Sequence, residues 1–125
     1  MPESAPTIYP VMSYRDARAA IAFLVEAFGF ETLFETEGEN GEIVHAELRL
    51  GNGVIMLGTA KEEPLSPGVY AVVDDVDEHF AQAKAAGAET MYEPRDTDYG
   101  SREYGARDPE GHAWYFGTYA PKLPD

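Results

Sequence analysis

Along this chain, segments with the hydrophobic pattern of a strand and segments with that of a helix follow one another in a fixed order. That order of segments occurs twice. In the first half, four segments have the composition or alternation of strands: residues 7–14, 30–36, 43–50 and 54–57. An apolar stripe at helical spacing follows the first segment and is formed by Ala17, Ile21, Leu24 and Phe28. Asp16 is placed to cap this helix and Gly29 to end it, so the first half predicts a βαβββ unit.

The second half repeats the same order of strand-like and helix-like segments. Its strand-like segments are residues 68–73, 89–92, 102–107 and 112–119. The inward positions of its helix are Val76, Phe80, Ala83 and Ala86. Asp75 and Glu78 have the spacing of a capping box, and Gly87 follows the last apolar position. A second βαβββ unit is therefore expected.

The two halves also match at single positions. Asp16 and Asp75 are 59 residues apart, and so are Gly58 and Gly117. Solenoid repeats need three or more copies to bury a core, so two copies indicate a duplicated domain instead. We expect an α+β fold in which the duplicated units form a curled mixed sheet around a cleft, with helices on the outer face. The expected domain is single and spans residues 1–125, with unit one at about 7–60 and unit two at about 68–120.

Composition narrows the class of protein. The chain has 125 residues, 44% of them hydrophobic, and no apolar run approaches the roughly 18 residues of a membrane span. Its first residues lack the basic and apolar regions of a secretory signal. The sequence contains no cysteine, which excludes disulfides and thiolate metal sites. We therefore expect a cytoplasmic protein.

The net charge of −14 is the one unusual bulk property. Nucleic acids and anionic membranes are bound by surfaces rich in lysine and arginine, so neither is an expected partner. A negative potential attracts cationic ligands toward a cleft. The alternative explanation is solubility or an acidic proteome, and the glutamates between residues 31 and 42 fit a solvated segment.

Five segments together resemble a known family. They are residues 13–23, 45–57, 73–77, 99–104 and 108–114. With them the chain resembles the vicinal oxygen chelate superfamily, also called the glyoxalase/bleomycin-resistance family, and looks most like its PhnB-like branch. The resemblance implies the glyoxalase/bleomycin-resistance fold and a homodimer. It does not select an activity, because the superfamily includes lyases, isomerases, dioxygenases and drug-binding proteins.

The family's enzymes generally hold a divalent metal with four side chains, usually His and Glu, two from each unit. The matching positions in this chain are Tyr9, Met56, Gly68 and Tyr115. Tyr9 and Gly68 are 59 residues apart, as are Met56 and Tyr115, so the internal repeat supports the alignment. A thioether, two phenols and a glycine do not replace His and Glu. We therefore expect no metal and no cofactor.

Strand parity predicts which side chains face the cleft. In the first hairpin, either His45 or Glu47 lies opposite Met56, and both registers put His45 and Glu47 on the face of Met56. In the second hairpin, a turn centred on Pro109 and Glu110 would place Tyr104 opposite Tyr115, with Arg102 on the same face. The predicted ligand-binding residues are Tyr9, His45, Glu47, Met56, Tyr70, Arg102, Tyr104 and Tyr115.

The remaining aromatic and histidine positions fit structural roles. His112 and Trp114 alternate away from Tyr115, which favours packing in the core. His79 lies among polar residues of the second helix and is expected at the surface.

Three functions are compatible with this pattern. An aromatic wall with a few polar groups favours a metal-free protein that binds a small organic ligand, flat or cationic, as in antibiotic resistance. The alternative is an enzyme (a lyase, isomerase or dioxygenase) in which His45 and Glu47 are the candidate catalytic residues or a metal binds at a displaced site. A third possibility is a degenerate partner domain that serves dimer contact. The missing ligands favour the first over catalysis.

Overall fold

The structure of the protein, a computed structural model, describes residues 9–61 and 68–121. The first unit contains β1 (Val11–Tyr14), α1 (Ala17–Phe28), β2 (Glu31–Glu37), β3 (Ile43–Leu50) and β4 (Gly53–Thr59). The second contains β5 (Val69–Val72), α2 (Val76–Ala85), β6 (Glu89–Asp96), β7 (Arg102–Arg107) and β8 (Ala113–Gly117). Predictions for residues 7, 8 and 62–67 lie outside the described residues.

Both helices begin at the predicted capping residue. The Asp16 carboxylate accepts a hydrogen bond from the backbone N–H of Ala19 at 3.0 Å, and the Asp75 carboxylate accepts one from Glu78 at 3.0 Å. Each bond satisfies a backbone donor that the first helical turn leaves without a partner. Helix α1 ends at Gly29, whose φ of +86° is the left-handed conformation that glycine adopts without strain.

The strands form two four-stranded mixed sheets with the same internal order. The orders are β1-β4-β3-β2 and β5-β8-β7-β6, and in each sheet only the first pair is parallel. The parallel pairs have equivalent registers, with Val11 opposite Met56 and Tyr70 opposite Tyr115. The predicted α+β fold of duplicated βαβββ units is confirmed, and its strands divide into two sheets.

One hydrophobic core joins the two units. The ring of Phe28, at the end of α1, lies 5.5 Å from the ring of Trp114 and 4.9 Å from that of Phe116, both on β8. Trp114 and His112 are buried, as predicted. Each sheet therefore has one face packed against helices and core, and we refer to the opposite face as its open face. No helix in the described part of the chain is long and apolar enough to cross a membrane.

A second contact between the units is polar and is made by residues 108–112, the turn between β7 and β8. The buried Asp108 carboxylate accepts hydrogen bonds from the hydroxyl of Tyr14 at 2.7 Å and from Nε1 of Trp114 at 3.1 Å. The Glu110 carboxylate accepts from the backbone N–H groups of Arg15 and Asp16, just before α1. Burial, followed by the charge of Asp108, raises the pKa of Tyr14, so this phenol remains a hydrogen-bond donor.

His79 is not a surface residue, so that prediction is wrong. Its ring is partly buried, with Nε2 2.8 Å from the carbonyl oxygen of Phe28 and Nδ1 2.6 Å from the hydroxyl of Tyr104. Because a carbonyl only accepts, Nε2 carries the hydrogen and Nδ1 accepts from Tyr104. Burial lowers the pKa of His79. Its polar sequence neighbours gave no sign of this pocket, which α1 and β7 complete.

Candidate functional site

The open face of the first sheet carries a row of four side chains that cross all its strands. Glu47 lies opposite Met56, the second of the two registers considered for this hairpin. Continuing across the sheet, Met56 lies opposite Val11 and Glu47 opposite Phe34. We call Val11, Met56, Glu47 and Phe34 the first row. The alternate positions of β3, Ala46 and Leu48, are fully buried on the helix side.

His45 and Glu47 meet on this open face. The imidazole Nε2 donates to Oε2 of Glu47 at 3.0 Å, and the two side chains are 40% and 38% exposed. The ring of Phe34 lies 6.3 Å from that of His45. A carboxylate that accepts from one ring nitrogen orients the imidazole and leaves the other nitrogen to exchange a proton with a bound molecule. The pair is therefore chemically able to act as a general acid or base.

The predicted register of the second hairpin is wrong by one residue. Tyr115 lies opposite Gly105, and Tyr104 lies opposite Phe116. The cause is the size of the turn: Oδ1 of Asp108 accepts from the backbone N–H of both Glu110 and His112, which keeps five residues in the loop. A slip of one residue exchanges the two faces of a strand.

Tyr104 and Arg102 consequently lie on the helix side and not in the predicted lining. Tyr104 is fully buried, donates to His79, and has its pKa raised by burial. The Arg102 guanidinium pairs with Asp77 of α2 at 2.9 Å and with Asp96 at 3.1 Å. Its hydrogen bonds lower the pKa of Asp77 and keep that carboxylate charged. Both predicted ligand contacts are thus corrected to structural roles.

The open face of the second sheet carries an equivalent row that is mostly aromatic. Tyr70, Tyr115, Gly105 and Tyr92 lie opposite one another in that order, and we call them the second row. The Tyr92 ring covers Gly105 so closely that a Cβ there would lie 2.7 Å from it. The Tyr70 hydroxyl passes over Gly117 and donates to the carbonyl of Tyr119 at 2.7 Å. Two glycines therefore allow the tyrosine rings to lie close to the backbone.

Three residues of this face were missed by the sequence reasoning. The partly buried Glu103 carboxylate accepts from the hydroxyl of Tyr92 at 2.7 Å and from that of Tyr99 at 2.9 Å. The correct register would have identified Glu103, because it lies two residues before Gly105. Tyr92 follows an irregularity in β6, so strand alternation does not predict which face its side chain occupies. Tyr99 lies in a loop, where the sequence has no strand or helix pattern that would place its side chain.

The structure thus brings the predicted lining residues together in two groups. His45, Glu47 and Met56 share the open face of the first sheet, and Tyr70 and Tyr115 share that of the second. Within residues 9–61 and 68–121, no hydrogen bond or ion pair joins one group to the other. The partly buried Tyr9 lies two residues before β1.

An apolar pocket of about 290 Å³ adjoins the second row at Tyr70. It lies between strand β5 and the turn between β3 and β4. Its lining includes Phe30, Leu50, Ile55, Val69 and Ala71. Its volume is close to the lower limit of small-molecule sites, so it has room for part of an organic ligand.

The residues at the four family metal positions do not form a metal site. Gly68 has no side chain and lies against the Tyr115 ring, where a Cβ would come within 3.5 Å. Thioether and phenol groups are poor ligands for hard or borderline divalent ions. Among the described residues, no three His, Asp or Glu side chains are close enough to hold a metal ion. The residues present do not fit the metal that the family's enzymes use.

Comparison with known proteins gives one consistent family. The model of the Glyoxalase/Bleomycin resistance protein/Dioxygenase superfamily matches residues 9–116. The uncharacterized protein Mb0911c of Mycobacterium bovis is 33% identical over 125 aligned positions, which cover 90% of this chain and 82% of that protein. The crystal structure of TioX from Micromonospora sp. ML1 is similar with 33% identity and a TM-score of 0.80, over 95% of this chain and 100% of that one.

A more distant structure has the same fold. Glyoxalase I from Zea mays superposes with a TM-score of 0.76 at 20% identity, over 90% of this chain and 44% of that one. The family model covers every helix and strand of the described residues except the last residue of β8. The chain therefore belongs to the Glyoxalase/Bleomycin resistance protein/Dioxygenase superfamily.

Proposed function

We propose that the protein binds a small organic molecule, with a flat or cationic portion, on the open faces of its sheets and without a metal ion. The observation that carries the proposal is the second row, in which three tyrosines share one accessible face of a sheet. Aromatic faces offer stacking area to flat ligands and attract cations. The net charge of −14 favours the approach of a cationic molecule.

Further support comes from what surrounds that row. The apolar pocket beside Tyr70 provides room for a hydrophobic portion of the ligand. The residues at Tyr9, Met56, Gly68 and Tyr115 supply aromatic and thioether surface where the family's enzymes have metal ligands. Such groups contribute dispersion and stacking rather than Lewis acidity.

A pair of dyes tests this proposal. Proflavine is flat and cationic, and anthracene-9-carboxylate is flat and anionic. We expect saturable proflavine binding by fluorescence titration that excess EDTA leaves unchanged, with weaker binding of the anionic dye. Tyr115→Ala should weaken proflavine binding by about tenfold, because a stacked ring contributes on the order of 1 kcal/mol beyond the area that it buries.

The matched control is Val25→Ala, which removes an exposed apolar side chain from α1, away from the open faces. It should bind proflavine as the unaltered protein does. Binding of neither dye would refute the proposal. Loss of binding on EDTA treatment would show that a metal is involved and would contradict the metal-free part.

A second candidate function is metal-independent acid–base catalysis, and the contact between His45 and Glu47 favours it. Conversion of the hemithioacetal of methylglyoxal and glutathione, measured with EDTA present, tests this reaction class. Turnover should fall at least about 100-fold in both His45→Ala and Glu47→Gln if the pair acts as acid and base. Circular dichroism checks that both variants fold. The absence of turnover in the unaltered protein would exclude this reaction. Turnover that both substitutions leave intact would exclude His45 and Glu47 as its acid and base.

We also propose that the chain forms a homodimer. The edge strands β1 and β5 expose apolar side chains: Val11 and Val72 are accessible over 66% and 47% of their surface. Exposed apolar edges of this kind are commonly covered by a partner. Native mass spectrometry of the purified protein should give a dimer mass without a divalent adduct. A monomer at micromolar concentration would contradict the dimer, and a stoichiometric metal adduct would contradict metal-free binding.

A further inference from the structure

The carboxylate of Glu103 differs from the other partly buried carboxylates of the open faces in its partners. Glu47 pairs with His45, whereas Glu103 accepts only from the neutral hydroxyls of Tyr92 and Tyr99. Among the described residues, no Lys, Arg or His side chain forms an ion pair with Glu103. Its negative charge is therefore hydrogen-bonded but not neutralised.

Two phenols hold this carboxylate by hydrogen bonds. Hydrogen bonding to Glu103 is the main cause that raises the pKa of Tyr99, and for Tyr92 it reinforces the larger effect of burial. Both phenols consequently stay protonated and continue to donate at neutral pH. Tyr92 binds Oε2 and Tyr99 binds Oε1, and a carboxylate has about four acceptor positions, so each oxygen can accept once more.

Tyrosine rings surround the carboxylate and are themselves held in position. The hydroxyl of Tyr70 donates to the carbonyl of Tyr119, while the rings of Tyr99 and Tyr119 make an edge-to-face contact at 5.8 Å. A Cβ at Gly117 would lie 2.7 Å from the Tyr70 hydroxyl and 3.0 Å from Cβ of Glu103, so these two side chains share the space above this glycine. Rings held in this way lose little freedom when a ligand binds.

One ring of the group already contacts a cation. The Arg95 guanidinium lies over the Tyr92 ring, 3.9 Å from its centre, although Arg95 is also the cross-strand neighbour of Glu103. Its guanidinium makes no ion pair with that carboxylate. Tyr92 thus shows that rings on this face attract positive charge, and Arg95 is the residue that competes with an external cation.

We propose that Glu103, Tyr70, Tyr92 and Tyr99 form a subsite for the positively charged nitrogen of an alkylammonium or quaternary ammonium group. We call these four residues the Glu103 subsite. The proposal rests on the ligand-binding function proposed above and assigns the cationic end of the ligand to the second sheet. A carboxylate supplies charge and the tyrosine rings supply electron-rich faces, the combination that proteins use for such ligands. The first sheet lacks it, because His45 occupies the position equivalent to Glu103 and pairs with the adjacent carboxylate.

A charged ligand and its neutral counterpart test the subsite. Choline and 3,3-dimethylbutan-1-ol have nearly the same shape, and only choline carries a charge. We expect choline to shift tyrosine ring signals in NMR titrations of the full chain and to bind about tenfold more tightly than the alcohol. Glu103→Gln should remove most of that difference. Tyr99→Phe, which retains the ring and loses one hydrogen bond to Glu103, should have a smaller effect than Tyr99→Ala.

Two control variants separate local from general charge effects. Glu93→Gln removes an exposed carboxylate from the same strand as Tyr92 and should leave choline binding unchanged. Arg95→Gln should strengthen it, because it removes the competing cation. Equal binding of choline and the alcohol, or equal weakening by Glu93→Gln and Glu103→Gln, would overturn the subsite.

The two proposals fail in different ways. Proflavine binding that persists without any choline preference would overturn the Glu103 subsite and leave the binding function standing. Binding of neither proflavine nor choline would refute both. Choline binding that Glu103→Gln weakens nearly to the level of the alcohol, with proflavine binding retained at reduced strength, is the result that we expect.

Discussion

The open faces of the two units have the same backbone arrangement and different chemistry. The first row is Val11, Met56, Glu47 and Phe34, and the second row is Tyr70, Tyr115, Gly105 and Tyr92. Two residues earlier on the third strand of each unit, His45 in the first corresponds to Glu103 in the second. The first face therefore offers a paired imidazole and carboxylate, and the second offers tyrosine rings around one carboxylate. Duplication preserved the register while the exposed side chains became different.

The two hairpin turns differ as well. The turn between β7 and β8 is tied to the other unit through Asp108 and Glu110, whereas the exposed turn around Asn52 borders the apolar pocket. The second turn is anchored by the buried side chains of Asp108 and His112, whereas residues 51–53 of the first turn are exposed. Equivalent positions in the two units should therefore respond very differently to substitution.

The largest effect is expected from Asp108→Ala. This change leaves the Tyr14 hydroxyl, the Trp114 indole N–H and two turn amides without their acceptor. Each unsatisfied buried donor costs about 1–3 kcal/mol, and relaxation of the turn recovers part of the sum, so we expect a loss of about 3–5 kcal/mol. Urea unfolding measures it. Asn52→Ala, in the other turn, should cost less than about 0.5 kcal/mol, and similar losses for both would refute the difference between the turns.

The next largest difference is expected between alanine substitutions at the equivalent glycines 58 and 117. A Cβ at Gly58 would overlap the backbone carbonyl of Val44, which cannot move without shifting strand β3. At Gly117 the closest atom is the hydroxyl of Tyr70, the far end of a movable side chain. We expect Gly58→Ala to cost about 1–3 kcal/mol of unfolding free energy, as overpacking does.

Gly117→Ala should instead cost little stability and weaken proflavine binding, because Tyr70 is displaced. Thermal unfolding and dye titration on both variants measure the two effects. If Gly117→Ala were the more destabilising variant, it would be wrong that a clash with the backbone at Gly58 costs more than a clash with the Tyr70 side chain at Gly117.

The contact of His79 between the units predicts a pH dependence. Burial lowers its pKa in the folded protein below the unfolded value of 6.5, so the unfolded chain binds more protons as the pH falls. The stability that the neutral ring contributes is therefore complete above pH 6.5 and is lost as the pH falls toward the folded pKa. His79→Gln should lose about 1 kcal/mol at pH 7.5 through weaker hydrogen bonds and show a shallower decline below pH 6.5.

Urea unfolding from pH 5 to pH 8 gives both slopes. His112→Gln is a useful comparison, because His112 also donates to a carbonyl, that of Ser13, from the other polar contact between the units. Equal slopes for the unaltered protein and His79→Gln would show that His79 is not the responsible group.

The smallest effect is expected from Arg102→Gln. Its ion pairs with Asp77 and Asp96 involve carboxylates that are largely exposed, and such pairs add little because water and salt screen them. The unfolding midpoint should shift less than in Asp108→Ala, Gly58→Ala or His79→Gln, and the shift should shrink at high salt. Ligand binding should be unchanged, since Arg102 lies on the helix side. Weakened dye binding would show that Arg102 does contribute to the ligand site.

Much of the fold could be predicted from the sequence because its signals are local. The helix caps at Asp16 and Asp75 depend on side chains three residues from the amides that they bind. Strands β3 and β7 have the predicted ends. Strand β6 was predicted too short, because the irregularities after Thr90 and Tyr92 interrupt its alternation.

The candidate site was predicted less completely, and the errors have one origin. His45 and Glu47 were found because both possible registers of the first hairpin gave the same face. Tyr104 and Arg102 were misplaced because the side chain of Asp108 lengthens the second turn by one residue, an effect that the strand pattern does not contain. That single shift also concealed Glu103.

The sequence by itself thus determined the two βαβββ units, their helix boundaries and the unsuitability of the four family metal positions. These follow from side-chain chemistry and from interactions within a few residues. Only the tertiary structure decided which face of β7 is open, that His79 is enclosed between units, and that three tyrosines gather near Glu103. Those outcomes depend on contacts between segments that are distant in sequence. One hydrogen-bonded carboxylate in a turn, or one irregularity in a strand, changes which face of the sheet the following side chains occupy.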